Sequence, residues 1–482
     1  MESYQWVSLI AALWAFLYLF DSYLKFNAAE KWQMLYRRIV TDNGVSVHLA
    51  RCQWYTKKLN RLFRWLGKTN PTYLDKWFDA GIVAALLCCC CSIVFLVMVP
   101  INTLLRAQSK DEQILRPVIP GVNLPRKDLG YYLITLFLSA VLHELGHAVA
   151  AVRESVRVHG FGIFLFVVYP GAFVDMDDQT LFAVSPWRQL RIFCGGVWHN
   201  IVIVIVGVAC LYTLPLTLSP FYTVHEDLIL VSHTENSVVQ GESGLFPGDI
   251  ITQMDDVRVS SVSEWINHLV NSLDSQSITS YSVPEAIFMK QEKPIVQSSK
   301  QCECGDVNHI CFQASLKADK PLAEDDRRCM NAREVITYSR CPKMSTVKCV
   351  TPYISHLDNS TRLVVLYRSK KPPVLFYGHP AELHQSVILG EVAPRSDSTP
   401  LWIPYSLENI FKCFVSLSGA LAILNIIPCY ALDGQHIARA LVSLILSRWS
   451  KESKELVLTL MVLCGTILLC GNLLLAMYGL LF

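Results

Sequence analysis

The chain has 482 residues, 52% of them apolar and 17% charged, with a mean hydropathy of +0.34, whereas an ordinary soluble domain carries roughly 25% charge. Residues 81–105, 192–224 and 456–482 hold no Asp, Glu, Lys or Arg, and each run reaches the ~20 apolar residues that cross a bilayer. Disordered, collagen-like and wholly soluble proteins are thereby excluded, and a net charge of +2 gives no basic field for nucleic acid.

Residues 1–21 read as a transmembrane anchor, with an apolar centre at 3–20 and Trp6, Trp14 and Tyr18 as interfacial residues. They lack a basic leader and a small-residue cleavage site, so the anchor is expected to stay uncleaved. Residues 22–80 form a basic juxtamembrane segment, in which eleven basic residues face three acids between 22 and 78. The positive-inside rule puts this segment in the cytosol, and its Trp32, Trp54, Trp65 and Trp77 suit contact with anionic lipid headgroups. A second span follows at 81–105, where Cys88 to Cys91 read as small apolar packers.

Residues 129–218 make the densest part of the membrane region, with spans at 129–152 and 192–218. Between them lies 160–174, GFGIFLFVVYPGAFV, which is too short to span. Its β-branched and aromatic residues around Pro170-Gly171 predict a β-hairpin turning there. At membrane depth such a hairpin is re-entrant and must be shielded by protein or line a cavity, because its edge amides find no water.

Residues 220–405 are polar. They contain the sequon Asn359-Ser360-Thr361 and six cysteines, Cys302, Cys304, Cys311, Cys329, Cys341 and Cys349. An even cysteine set beside a sequon predicts glycosylation at Asn359 and disulfides in an oxidising lumen, although fifteen pairings are open. The stretch Gly244-Leu245-Phe246-Pro247-Gly248-Asp249-Ile250-Ile251, followed by alternating residues and a helical segment at 263–272, resembles the PDZ module. The rest, about 290–400, reads as a Cys-rich insertion. Residues 407–482 hold the last two spans, at 407–431 and 456–481. The expected fold is a polytopic α-helical membrane protein of about six spans, with a re-entrant hairpin and a lumenal PDZ-like β-rich domain. A cytosolic 22–78 carries the second span outward, the third back and the fourth outward again, which puts 220–405 in the lumen as its cysteines require.

The chemistry sits in the third span, at His143-Glu144-Leu145-Gly146-His147. Residues four apart share a helix face, so both imidazoles can address one metal ion with Glu144 beside it. Zinc suits neutral imidazole, and three protein ligands leave a position for water whose proton Glu144 can take. Three ionisable residues in one intramembrane turn are costly unless they serve a function. Ala150 and Arg153 stand where the metzincin pattern needs Gly and His, so the third ligand must come from elsewhere. Asp433, in Ala431-Leu432-Asp433-Gly434, reaches the same membrane depth by the topology above. Asp175, Asp177 and Asp178 compete with it. His199 reads as a packed histidine.

The paired HELGH and LDG motifs, the apolar hairpin, and the stretches QLRIFCGGVWHN and SLSGALAILNIIPC together resemble the site-2 protease family of intramembrane zinc metalloproteases. The Asp-Gly pair is preceded here by Ala431-Leu432 where many bacterial members have Asn-Pro. The resemblance implies one zinc ion held by His143, His147 and Asp433, with Glu144 as general base. It further implies Asn200 as a transition-state donor, and Asn425, Pro428 and Gly171 near the substrate. Its implied substrates are single-span transcription factors already cut in the lumen, such as the sterol regulatory element-binding proteins and a stress-activated leucine-zipper factor. Cleavage releases their cytosolic parts from Golgi or endoplasmic reticulum membranes, in sterol and stress signalling. The alternatives are a membrane zinc protease of the prenyl-protein processing class, or a non-catalytic scaffold that binds single-span clients.

Overall fold

The computed structural model describes residues 2–105, 128–234, 237–239, 244–274, 280–293, 295–296, 302–304, 309–315, 327–341, 349–353, 362–396 and 398–481. Among them six helices are long and apolar enough to cross a membrane. We label the helices of the membrane unit α1 (Glu2–Phe26), α2 (Asn60–Lys68), α3 (Pro71–Leu105), α4 (Leu129–Arg153), α5 (Pro186–Leu218), α6 (Trp402–Ile426), α7 (Asp433–Ile445) and α8 (Lys451–Leu481). The short α2 and α7 are not among these six, nor are the shorter helices Glu30–Tyr36 and Asp178–Ala183. The chain is a multi-pass membrane protein with a separate β-rich unit, and contacts divide it into residues 1–214 with 407–482, and residues 215–406.

Two spanning helices start well before their charge-free runs. α3 begins at Pro71 rather than 81, and α5 at Pro186 rather than 192. The extra turns carry charges that find one another across helices. Arg191 meets Asp79 at 2.7 Å, Glu154 at 2.9 Å and Asp75 at 3.4 Å. Arg153 meets Asp75 at 2.6 Å, and Arg188 pairs with Glu154, which is 3% exposed. Removing one member would strand a buried charge.

Pro100 lies inside α3 and has no N–H to bond the carbonyl four residues earlier, that of Leu96. The Asn472 amide, on α8, donates to Leu96 O at 2.9 Å instead. One proline-made gap thus ties the last span to the second.

The hairpin of 160–174 forms, but its turn is not at Pro170-Gly171. β3 (Val158–Phe166) and β4 (Tyr169–Met176) are joined by Val167-Val168, with Val167 at φ 56°. A valine in the left-handed region is strained by its Cβ, and tertiary contacts hold it there. Its N–H bonds Ala50 O at 2.9 Å, and its carbonyl accepts from the Trp14 indole at 3.0 Å. Pro170 and Gly171 instead lie within β4, with Gly171 opposite Phe164 where that ring lies over it.

The hairpin is also only half of its sheet. β1 (Val45–His48) and β2 (Arg51–Thr56), from the basic segment, extend it in the antiparallel order β1-β2-β3-β4. Residues 22–80 therefore do more than follow headgroups. Phe63 of α2 is 2% exposed and packs with Ala148 of α4 and Phe161 of β3, while Trp65 stays 65% exposed. With β3 covered by β2, the free edge of this sheet near α4, among the described residues, is β4.

In the second unit, strands run in the antiparallel order Lys371–Gly378, Arg362–Arg368, Ile250–Met254, Tyr222–His233 and Val387–Pro394. The helix Val262–Asp274 seals one face with a fully buried Trp265. Asp249 is buried beneath the sheet. Burial alone would raise its carboxyl pKa, but Lys371 at 2.5 Å, Arg368 at 2.8 Å and the Phe246 N–H outweigh that and hold it below the usual range. A smaller sheet orders Arg327–Asn331, His309–Ser315, Cys349–Pro352 and Tyr281–Ser282. All six cysteines are bridged: Cys302 to Cys311, Cys304 to Cys329, and Cys341 to Cys349. Cys311 and Cys329 face each other across neighbouring strands, so the first two bridges fasten one loop to both. The sequon at Asn359 lies outside the described residues.

Candidate metal centre

α4 presents His143 and His147 one turn apart on its buried face, at 4% and 3% exposure. α5 crosses this face closely enough to touch the rings, which requires glycine. A Cβ on Gly146 would strike the Gly195 carbonyl, and a Cβ on Gly196 would strike Nε2 of both His143 and His147. Gly196 therefore floors the point to which both imidazoles turn. His147 Nδ1 lies 2.8 Å from Ile192 O. A carbonyl only accepts, so Nδ1 carries the proton and Nε2 offers its lone pair.

The third member arrives on a separate element. The sequence reading ran the fifth span through to Ala431, but α6 ends at Ile426 and Asp433 opens α7. A carboxylate in the first turn of a helix also meets the positive end of its dipole. The intervening loop is tightly fixed. A Cβ on Gly434 would collide with the Ile427 carbonyl, and one on Gly465 of α8 with the Pro428 carbonyl. Ala431 takes a left-handed φ of 66°, Tyr430 N–H donates to Thr466 Oγ1 at 3.2 Å, and Ala431 N–H donates to Gln435 Oε1 at 3.2 Å.

His143 Nε2 lies 2.9 Å from Asp433 Oδ2 and 3.1 Å from His147 Nε2, and the remaining edge, His147 Nε2 to Asp433 Oδ2, is 3.2 Å. Ligands about 2.0–2.1 Å from a tetrahedral zinc stand ~3.3 Å apart, so this triangle has the size of one face of that tetrahedron. Two nitrogens and one carboxylate oxygen are also a donor set that zinc prefers. The residues fit the ion. Among the described residues this is the only trio of His, Cys, Asp or Glu grouped closely enough to hold one. Asp433 keeps 25% of its side-chain surface, so the trio is open on that side.

The other predicted residues fall as follows. Glu144 Oε2 accepts from Val174 N–H of β4 at 2.9 Å, which joins the carboxylate to the free strand edge. Asn200 is fully buried, with its amide 3.0 Å from His143 Nδ1. The Asn425 amide nitrogen lies 3.4 Å from His143 Nε2, on the side of the trio. Pro428 belongs to the fixed loop, and Gly171 to β4. Asp175 accepts from Tyr55 OH at 3.0 Å, Asp177 caps the helix Asp178–Ala183, and none of the three acids joins the trio. His199 Nδ1 donates to Gly195 O at 2.7 Å, a packing contact. Sequence reasoning missed Gly196 and the Val174 amide. Gly196 had a signal, since it stands four residues before Asn200 on one helix face. The amide had none, because every residue carries one.

The sequence model of Peptidase family M50 matches residues 131–469, a stretch that contains HELGH, the hairpin and LDG. An Arabidopsis thaliana protein described as a membrane-bound transcription factor site-2 protease homolog is 25% identical over 471 residues, covering 85% of this chain and 89% of that protein. The chain belongs to peptidase family M50, the site-2 protease family of intramembrane metalloproteases.

Proposed function

We propose that this chain is a zinc endopeptidase that cuts a peptide bond within the transmembrane helix of single-span proteins and so frees their cytosolic parts. The observation that carries the reading is the triangle of His143 and His147 on one helix and Asp433 on another, in a chain of a metalloprotease family. Zinc held there supplies a Lewis acid and acidifies water. The Glu144 carboxylate accepts the proton of the attacking water, with the Val174 amide fixing its direction. The Asn425 amide, beside the trio, is the group best situated to donate to developing negative charge.

A membrane-buried helix hides its peptide groups in internal hydrogen bonds, so the substrate must unwind before attack. The free edge of β4 can receive the opened strand by β-augmentation, while Pro170, lacking an N–H, limits pairing toward the turn. Helices containing Asn, Gly or Pro should open more readily. The proposed substrates are membrane-anchored transcription factors first cut in the lumen, the sterol regulatory element-binding proteins and a stress-activated leucine-zipper factor among them. The proposed site of action is the Golgi or endoplasmic reticulum, with the metal centre toward the cytosol and 220–405 lumenal. The stretch 244–251 and its surrounding sheet support a PDZ-like reading of that unit.

Zinc content of the purified full chain tests the proposal directly. One ion per chain is expected, with loss of ion and cleavage together on chelation and return of both on adding zinc. A metal-free chain that still cuts a single-span substrate would overturn it. The placement has its own check. Thiol labelling of intact chain is expected to find Cys302 to Cys349 unreactive until a reductant is added, since all six are bridged. Labelling without reductant would contradict a lumenal position.

A further inference from the structure

Asn200 stands one turn beyond Gly196 on α5, on the same face, and is 0% exposed. Its Nδ2 lies 3.0 Å from His143 Nδ1, and its Oδ1, equally buried, has no hydrogen-bond partner. A side-chain amide has nearly the same shape after a half turn, which exchanges its donor and acceptor. The two orientations suit two states of His143. With Nδ2 toward the ring, Nδ1 accepts, and the ring proton sits on Nε2 facing Asp433 Oδ2 at 2.9 Å. With Oδ1 toward the ring, Nδ1 carries the proton, and Nε2 turns a lone pair to the point already faced by His147 Nε2. Only the second state lets His143 bind a cation, since a protonated nitrogen has no lone pair to give.

We propose that Asn200 is a positioning residue for the metal: its amide oxygen holds His143 as the Nδ1–H tautomer, as the Ile192 carbonyl holds His147. Metal-ligating histidines generally give their second N–H to such an acceptor. The amide engages the edge of the ring away from Nε2, behind the trio, and does not reach the substrate. That distinguishes it from the oxyanion donor implied by family resemblance. The inference rests on the zinc reading above.

The test is zinc affinity of the full chain, measured by competition with a chelator, for wild type, Asn200→Ala, Asn200→Leu and Asn200→Asp. Ala and Leu are expected to bind zinc 10–100-fold more weakly, the usual effect of losing such a partner. Asp is expected to bind at least as tightly as wild type, because a carboxylate accepts the same Nδ1–H. Equal thermal unfolding of the metal-free forms separates this from a folding defect. Three results would overturn the inference: wild-type affinity in Ala and Leu, equal weakening in Asp and Ala, or unchanged affinity with a lowered kcat in Ala and Asp alike. The last would return the amide to the substrate. A wild type that holds no zinc is a separate failure, visible before any variant is made, and it would overturn the zinc reading itself.

Discussion

Glu144→Gln is expected to keep its zinc and to slow cleavage by ~10²–10⁴-fold, the usual range for loss of a general base. That corresponds to about 3–5 kcal/mol of transition-state stabilisation. The substitution is well chosen because the carboxylate is anchored through an oxygen. Glu144 Oε2 accepts from the Val174 N–H at 2.9 Å, and a glutamine carbonyl oxygen can accept the same bond. Position is conserved and basicity is lost. Glu144→Asp makes the complementary change, retaining a carboxylate but drawing it back from β4, and should fall between wild type and Gln. Rates are measured on zinc-loaded protein with a single-span substrate in vesicles, with metal content determined on the same samples. Wild-type cleavage by a zinc-loaded Gln variant would remove Glu144 from the mechanism. Loss of cleavage with zinc retained discriminates against a non-catalytic client scaffold, for which the substitution changes nothing.

Much of this arrangement is readable in the sequence, and the rest is missing for identifiable reasons. Long apolar runs, three of them without any charge, locate the six apolar helices, because bilayer thickness sets their length. The runs give the wrong starts for α3 and α5, because Asp75, Asp79, Glu154, Arg153, Arg188 and Arg191 neutralise one another across helices. No pattern within one segment reports such pairing. The hairpin is legible from β-branched and aromatic residues, but its turn is not. Val167 and Val168 are poor turn formers, and a distant Trp14 and Ala50 hold the first of them in place. The contribution of 45–56 to the same sheet was hidden by the basic composition of the 22–80 segment around it, which points to a membrane surface. At the site, the spacing of His143 and His147 states that they share a face. What it cannot state is how close α5 passes, which Gly146 and Gly196 record.

Asp433→Asn is expected to lower zinc affinity by more than ~100-fold, beyond the 10–100-fold typical of a residue that merely supports a ligand. A neutral amide is a far poorer partner for a dication than a carboxylate, and Oδ2 forms two of the three edges of the triangle. The fold should survive. Asparagine has the same shape and tolerates the start of a helix, while the loop before it is fixed by Gly434, Gly465 and Thr466 and not by the carboxylate. Cleavage should fall with the metal and return partly at high zinc, which a simple folding defect would not allow. Asp175→Asn, Asp177→Asn and Asp178→Asn are the controls. The first can still accept from Tyr55, the second can still cap its helix, and none faces the two imidazoles. Each should keep wild-type zinc. A prenyl-processing protease would call for a glutamate ligand on a later helix, whereas 456–482 has no acid and Asp433 supplies the oxygen. Full zinc occupancy in the Asp433 variant, with loss in one of the three controls, would shift the third ligand to the neighbourhood of the hairpin. The closeness of Asp433 to the two histidines would then be a contact between polar groups and not a ligand set.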